Sequence, residues 1–371
     1  MRVAIMLRAY DRQGGIGIYS RNIVKHLLEI DRHNHYVLIY NNKDHLGTYN
    51  KKENVDEVFL PPANPLIWDQ WLVLKIIKKW GVDLVFNAKF SVPVMTTVKK
   101  IMALHGASWF VHPELYKKFD IFYVKKAMPV YCRSADFLIS NSDLTTHDFL
   151  RILGVPRKKI ATVHLAAGDE FQQLQNPQLL KDIQTKYQLP DRFILTVTSY
   201  DPRKNFSTLL KAFEKCREKV DISLVVVGKH CDRYKKDFEL TNRGLQDVVH
   251  FPGWVDQKDL PAIYNLAGVF AFPSVIEEFG IPVVEAMSCG CPLVASNTGA
   301  IPELTDNAAL LIKPFDHQAL YENLLKILLS DSLAERYSRM GLEKSKDFSW
   351  SKAAQQTLEI FRRVFSEEVA I

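Results

Sequence analysis

The sequence predicts an α/β protein of two successive domains, each a parallel sheet wrapped by helices, and three observations carry that prediction. Short apolar runs alternate with amphipathic helical stretches along the chain, which is how parallel βαβ units read. The alternation breaks once, across Gly168–Leu189, where no strand candidate stands, so the linker is placed there. At 371 residues the chain also exceeds what one ordinary core accommodates. The expected domains are residues 1–170, joined by a last helix at about 351–371, and residues 171–350.

Strands in the first half are expected at Val3–Leu7, Tyr36–Tyr40, Leu84–Phe86, Lys100–Leu104 and Phe137–Asn141, since each is short and apolar. Between them, apolar residues at helical spacing predict helices over Ile18–Leu28, Asp69–Lys79 and Ser142–Leu153. The second half repeats the pattern. Strands are expected at Phe193–Thr198, Ser223–Val227, Val248–Phe251, Val269–Phe272, Leu293–Ala295 and Ala309–Leu311. Helices should begin near Phe206, Lys235, Asp259, Ile281, Ile301 and His317, with a final one over Ser351–Val369. Each half reads as a Rossmann-like sheet, whose ligands sit at the carboxyl ends of the strands.

Composition narrows the class. Hydrophobic residues at 47% and charged residues at 24% describe a globular protein. No apolar run approaches the roughly 18 residues that a membrane span requires. The apolar start Met1–Leu7 is too short for a signal peptide and lacks a cleavage site, so it reads as a strand. Five scattered cysteines fit a reducing, cytoplasmic compartment. Cys289 and Cys291 form a C-x-C, but no second cluster completes a metal site.

The most informative stretch is Ser274–Glu285. It sets Glu277 and Glu285 eight residues apart, with Gly280 at the expected start of a helix and Pro282 at a permitted first-turn position. A strand, a glycine-bearing loop and a helix N-terminus make an anion pocket. Carboxylates beside a phosphate would be repelled, so the glutamates suit sugar hydroxyls. Glu278 stands beside Glu277 as a rival for that role. A buried helix flanked by surface glutamates would carry the same letters.

Pro202-Arg203-Lys204-Asn205 follows the strand at Phe193 and precedes a helix. Two cations there are placed to hold a diphosphate and to stabilise charge gathering on a departing phosphate. Arg binds two oxygens at once, whereas Lys is a point charge. An ordinary solvated loop is the plainer reading. Gln13-Gly14-Gly15-Ile16-Gly17 lets backbone approach a ligand closely, yet lacks the spacing of dinucleotide binders. His105, at a strand end, is placed to hydrogen-bond a ligand, though a lone histidine is more often satisfied by backbone.

These motifs resemble glycosyltransferase family 4, the retaining, nucleotide-sugar-dependent group of GT-B fold. The resemblance rests on E-x-F-G-x-x-x-x-E from Glu277 to Glu285, then Ala286-Met287-Ser-Cys-Gly290-Cys-Pro292, with P-R-K-N and the glycine loop in matching places. It implies two Rossmann-like domains facing a cleft, with the C-terminal helix crossing back to the N-domain. It implies catalytic roles for His105, Glu277, Arg203 and Lys204. The donor set it implies is Gly15, Gly17, Ser199, Arg203, Lys204, Val255, Glu277, Phe279, Gly280, Ile281 and Glu285. Glu277 would face the donor sugar and Glu285 the ribose hydroxyls. Lys204 and Arg203 would take a cation's electrostatic role, so neither metal nor other cofactor is required. Two departures stand out: Tyr200 replaces an arginine found in some relatives, and Gly106 replaces the aspartate that often follows the histidine. P-R-K-N members include many mannosyltransferases that use GDP-mannose in bacterial polysaccharide or O-antigen assembly. The expected activity is thus transfer of a hexose, mannose from GDP-mannose, to a glycan or lipid-linked saccharide. A non-catalytic sugar-nucleotide-binding protein of a glycan-assembly complex is the alternative.

Charge suggests one further partner. The formal net charge of +6 includes paired lysines at 117–118 and 125–126, interleaved with Phe119, Phe122 and Tyr123. A basic helix with aromatic flanks suits the inner face of an anionic membrane. A solvated face covering part of the core would look the same. No nucleic-acid-binding motif accompanies the lysines.

Overall fold

The computed structural model describes residues 1–12 and 14–366. Gln13 of the glycine-rich loop, and residues 367–371 at the end of the expected last helix, lie outside the described residues. Two compact units are present, Met1–Leu165 with Ser349–Ile371, and Ala166–Phe348.

The first unit is built on a parallel sheet of β1 (Arg2–Met6), β2 (His35–Tyr40), β3 (Val55–Phe59), β4 (Leu84–Asn87), β5 (Lys99–Leu104), β6 (Phe137–Ser140) and β7 (Ile160–Thr162). Their order is β3-β2-β1-β4-β5-β6-β7. The second unit carries β8 (Phe193–Val197), β9 (Ser223–Val227), β10 (Val249–His250), β11 (Val269–Phe272), β12 (Leu293–Ser296) and β13 (Leu310–Ile312), in the order β10-β9-β8-β11-β12-β13. Central strands such as β4 and β11 are buried along their whole length, as parallel strands covered on both faces must be.

Helices of seven residues or more are α1 (Gly15–Ile30), α2 (Val73–Trp80), α3 (Lys118–Ser134), α4 (Asp143–Leu153), α5 (Pro177–Lys186), α6 (Phe206–Arg217), α7 (Leu260–Leu266), α8 (Ile281–Ser288), α9 (His317–Leu328), α10 (Asp331–Ser345) and α11 (Trp350–Ser366). In α11 Trp350, Ala353, Ala354, Thr357, Leu358, Phe361 and Val364 are buried, a stripe at helical spacing. It packs on α1 and sets Phe361 against Phe86 of β4, with ring centroids 5.2 Å apart. Arg363 stacks over Phe137 at 4.5 Å. The last helix therefore belongs to the core of the first unit.

Several expectations need correction. The linker expected at Gly168–Leu189 contains α5, capped by the Asn176 side chain, which accepts from Leu179 N at 3.1 Å. This helix packs on α7, and Lys186 donates to Asp259 at 2.6 Å, so the segment is part of the second unit. The passage between units falls at Leu165–Ala166, earlier than expected. The helix expected over Asp69–Lys79 begins as a π-turn, Trp68–Leu72, before α2. The helix expected at Lys235 is a single turn, Tyr234–Asp237. β3 and β7 were not expected. Both lie at sheet edges, where partial exposure admits polar residues and weakens the apolar signal.

Candidate functional site

In the second unit the strand order reverses between β8 and β11, which are neighbours in the sheet but far apart in sequence. Connections leaving such a pair on opposite faces open a crevice at their carboxyl ends, the usual ligand position in open α/β sheets. The loops that line it are those after β8 and after β11, and they hold the two strongest sequence motifs.

The loop after β8 is held in shape by its own side chains. Asp201 caps the short turn Pro202–Lys204 by accepting from Arg203 N at 2.9 Å. Asn205 adopts the left-handed region, with φ of 54°, and donates through Nδ2 to the Pro273 carbonyl at 3.0 Å. Val275 N donates to the Arg203 carbonyl at 2.8 Å. The two loops are thereby fastened together.

This fastening brings Lys204 and Glu277 into contact. Lys204 Nζ donates to Glu277 Oε2 at 2.7 Å and stands 5.0 Å from the centre of the Phe272 ring. Both side chains are partly exposed, at 21% and 18%. Arg203 turns instead to Asp201, with Nη2 to Oδ2 at 2.6 Å. Burial pulls the Asp201 carboxyl up, yet hydrogen bonds and charge from Arg203 hold it below its usual range.

Gly280, with φ of 103°, starts α8, which has neither a side-chain cap nor an acidic residue in its first turn. Pro282 has no N–H and Val283 N donates to the Gly280 carbonyl at 2.9 Å, so the Ile281 amide is the donor this turn offers an anion. Phe279 and Ile281 are buried beside it. Glu285, in the second turn, is only 4% exposed and accepts from the Tyr264 hydroxyl at 2.9 Å. Burial pushes its carboxyl up to about 7, against the opposing effect of the Tyr264 hydrogen bond, and the charge of Glu170 adds to the rise. The two glutamates thus differ: one is a partly exposed partner of a cation, the other a buried acid.

Ser199 lies in the loop after β8, its carbonyl accepting from the Tyr234 hydroxyl at 3.0 Å. Val255 follows β10, three strands from β11, and no described bond ties it to the residues above. Gly15, Gly17 and His105 stand in the first unit. A Cβ on Gly17 would overlap the Arg12 carbonyl, so the start of α1 requires glycine there. His105 Nε2 is 2.7 Å from the Ala88 carbonyl, which can only accept, so Nε2 carries the proton. Burial drives its pKa down to about 4, with Lys89 adding to the fall and the Ala88 bond opposing it. His105 is therefore neutral near pH 7 and offers Nδ1 as an acceptor.

Sequence reasoning missed the residues that support these loops. Gly299, after β12, has φ of 59°, and a Cβ there would strike the backbone of Glu277. Ala300 N donates to the Glu277 carbonyl at 3.0 Å, and Thr298 Oγ1 to the Val275 carbonyl at 2.9 Å. Tyr234, stacked on Phe206 at 4.2 Å, also accepts from Asp201 N at 3.1 Å. A glycine just past a strand end was the available signal for Gly299. Cys289 and Cys291 are buried thiols pushed up by burial, which keeps them protonated.

Known proteins match both halves. The family model described as Glycosyltransferase Family 4 matches residues 13–167, and that described as Glycosyl transferases group 1 matches residues 181–344. The O-antigen chain mannosyltransferase B of Escherichia coli is 30% identical over 268 residues, covering 71% of this chain and 70% of that protein. The serotype-specific mannosyltransferase WbdA of Escherichia coli is 27% identical over 276 residues, 72% of this chain but 34% of WbdA. The crystal structure of Anabaena Alr3699/HepE in complex with UDP and glucose shares the fold, with a TM-score of 0.77 at 18% identity over 98% of this chain and 100% of that one. Among the described residues no helix is long and apolar enough to cross a membrane. The chain belongs to glycosyltransferase family 4: it is a mannosyltransferase-like glycosyltransferase of GT-B fold.

Proposed function

We propose that the chain transfers mannose from GDP-mannose to a hydroxyl of a glycan or lipid-linked saccharide, with retention of anomeric configuration. The observation that carries this reading is the Lys204–Glu277 contact at the β8/β11 crevice. A cation suited to phosphate and a carboxylate suited to sugar hydroxyls stand side by side, next to the uncapped start of α8. The two mannosyltransferases of Escherichia coli that the chain resembles support mannose as the sugar.

In this mechanism the bond between the sugar's anomeric carbon and the diphosphate oxygen breaks as the acceptor oxygen bonds to that carbon from the same face. The acceptor's proton passes to the departing phosphate. Lys204, Arg203 and the Ile281 amide at the start of α8 stabilise the charge gathering on that phosphate, more in the transition state than in the substrate. Glu277 orients the sugar and favours the positive charge developing at its ring. Glu285 takes the ribose hydroxyls, and the Ser199 and Val255 segments flank the nucleotide. Gly15 and Gly17 supply close backbone, while neutral His105 accepts from a sugar hydroxyl. No metal or other cofactor enters the scheme.

The test is incubation of the chain with labelled GDP-mannose, UDP-glucose and ADP-glucose and a panel of saccharide acceptors. GDP-mannose turnover with release of GDP is expected, and a thermal midpoint raised most by GDP. Preference for another donor overturns the mannose assignment, and binding without turnover on any acceptor favours a non-catalytic role.

Peripheral membrane contact belongs to the same proposal. On α3 Phe119 and Phe122 are 78% and 64% exposed, with Lys117, Lys118, Lys125 and Lys126 exposed around them. Anionic lipid supplies the complementary charge, at about 1 kcal/mol per lysine. Co-sedimentation with anionic but not neutral vesicles, weakened by salt, is expected; indifference to lipid charge rejects it.

A further inference from the structure

The first unit has its own reversal of strand order, between β1 and β4, and the loops there carry Arg8, Arg12 and Lys89. Arg8, two residues past β1, donates to both oxygens of Asp69 at 3.1 and 2.9 Å. Asp69 is 3% exposed and also accepts from Ser91 Oγ at 2.7 Å, so its charge is already committed. Lys89, two residues past β4, is half-buried and has no ion-pair partner among the described residues; its Nζ stands 5.9 Å from the Phe90 ring centre. Arg21 of α1 donates to the carbonyls of Tyr10 and Arg12, at 2.7 and 3.3 Å, and the exposed Arg12 side chain has no carboxylate partner among the described residues. Asp11, the remaining acid of the loop, is engaged by His45.

Several positive groups therefore share one carboxylate that Arg8 has taken. Burial lowers the Lys89 pKa to about 8, the charges of Arg12 and Arg8 add to the fall, and Asp69 opposes it only in part. A perturbed lysine in a crevice at strand ends marks a functional position. Beside it, Phe90 meets Trp109 edge-on at 4.6 Å, giving the crevice an aromatic wall.

We propose that Lys89 and Arg12, at the carboxyl ends of β4 and β1, bind a phosphate group carried by the acceptor, while the Phe90–Trp109 wall takes the adjoining sugar. This rests on the glycosyltransfer reading above and adds the charge class of the acceptor. The anion supplies the counter-charge that the fold withholds from Lys89.

Calorimetric titration of the full chain, saturated with GDP, tests it. The probes are N-acetylglucosamine 1-phosphate, unmodified N-acetylglucosamine, and a lipid-linked sugar diphosphate in detergent micelles beside empty micelles. Phosphorylated probes are expected to bind and the neutral sugar not to. Lys89→Met should weaken that binding about tenfold or more, the loss expected for one charge-assisted hydrogen bond. Lys89→Arg should restore most of it, and GDP binding should stay unchanged in both variants. Near pH 9 the wild type should take up a proton as the anion binds, and Lys89→Arg should not, because arginine is already charged. Binding confined to the micelle arm identifies a lipid-linked source, and binding in both arms a phosphate recognised for itself. Equal binding by Lys89→Met, equal binding of the neutral sugar, or no phosphorylated probe bound while GDP still binds each overturns the proposal. Failure of the wild type to bind any nucleoside diphosphate counts instead against the nucleotide-sugar reading.

Discussion

The two strand-order reversals share a topology but treat charge in opposite ways. At the β8/β11 crevice the polar groups are matched: Lys204 with Glu277, Arg203 with Asp201, Tyr264 with Glu285. Among the described cations of the loops after β1 and β4, Arg8 alone has a carboxylate, and Lys89 stands among like charges. Matched charges keep a loop in one geometry before a ligand arrives, which is what preorganised catalysis needs. Unmatched charges leave affinity to be supplied by whatever binds. On the reading proposed above, one fold holds a fixed reaction centre in one sheet and an adaptable recognition surface in another.

The contrast can be broken most forcefully at Lys204. Lys204→Ala should lower turnover by about 100- to 1,000-fold, the usual effect of removing one preorganised donor, with the thermal midpoint nearly kept. Rates within threefold of wild type would remove Lys204 from the chemistry. Glu285 gives the next effect. Because its folded pKa of about 7 exceeds the ordinary value, the unfolded chain loses that proton first as pH rises. Its contribution to stability therefore falls between about pH 4.5 and 7 and is flat above, by up to roughly 3 kcal/mol. Glu285→Gln should flatten this part of the stability curve, measured by denaturant unfolding from pH 5 to 8, while weakening nucleotide binding. An unchanged curve would show that Glu285 is not the titrating group.

The smallest expected change is also the sharpest. Glu277 is paired with Lys204 and competes with a phosphate for it, so Glu277→Gln should bind GDP about tenfold more tightly while turnover of the nucleotide sugar falls. Tighter product binding with slower transfer separates a sugar-orienting carboxylate from a merely structural one. Weaker GDP binding would show instead that Glu277 shapes the loop.

Much of this was legible in the chain because parallel strands are apolar on both faces, and β1, β4, β8 and β11 announce themselves. Edge strands do not: β3 is half-exposed and contains Asp56 and Glu57, so it reads as a loop. Helix α5 was hidden by its place after a long strand-free stretch, although Asn176-Pro177 is a sound start signal. At the site, the identities of Lys204 and Glu277 were visible but their contact was not, since it joins residues 73 positions apart and depends on β8 and β11 becoming neighbours. Gly299 and Tyr234 escaped because supporting a loop needs shape, which no short motif encodes. Lys89 escaped for a related reason: it conforms to no motif, and its character comes from burial, with the charges of Arg12 and Arg8 that the fold brings near adding to it.

The discontinuity of the first unit has a consequence for biosynthesis. Its core needs Trp350 and Phe361, and these leave the ribosome only after residues 166–348 have emerged. Domains fold as units while the chain is made. The second unit, a single unbroken segment, is thus able to finish while the nascent amino-terminal part still waits for its closing helix. A stop codon before residue 349 would spare the later-made half and strand the earlier one with its α1 and β4 surfaces uncovered, a substrate for chaperones or proteases.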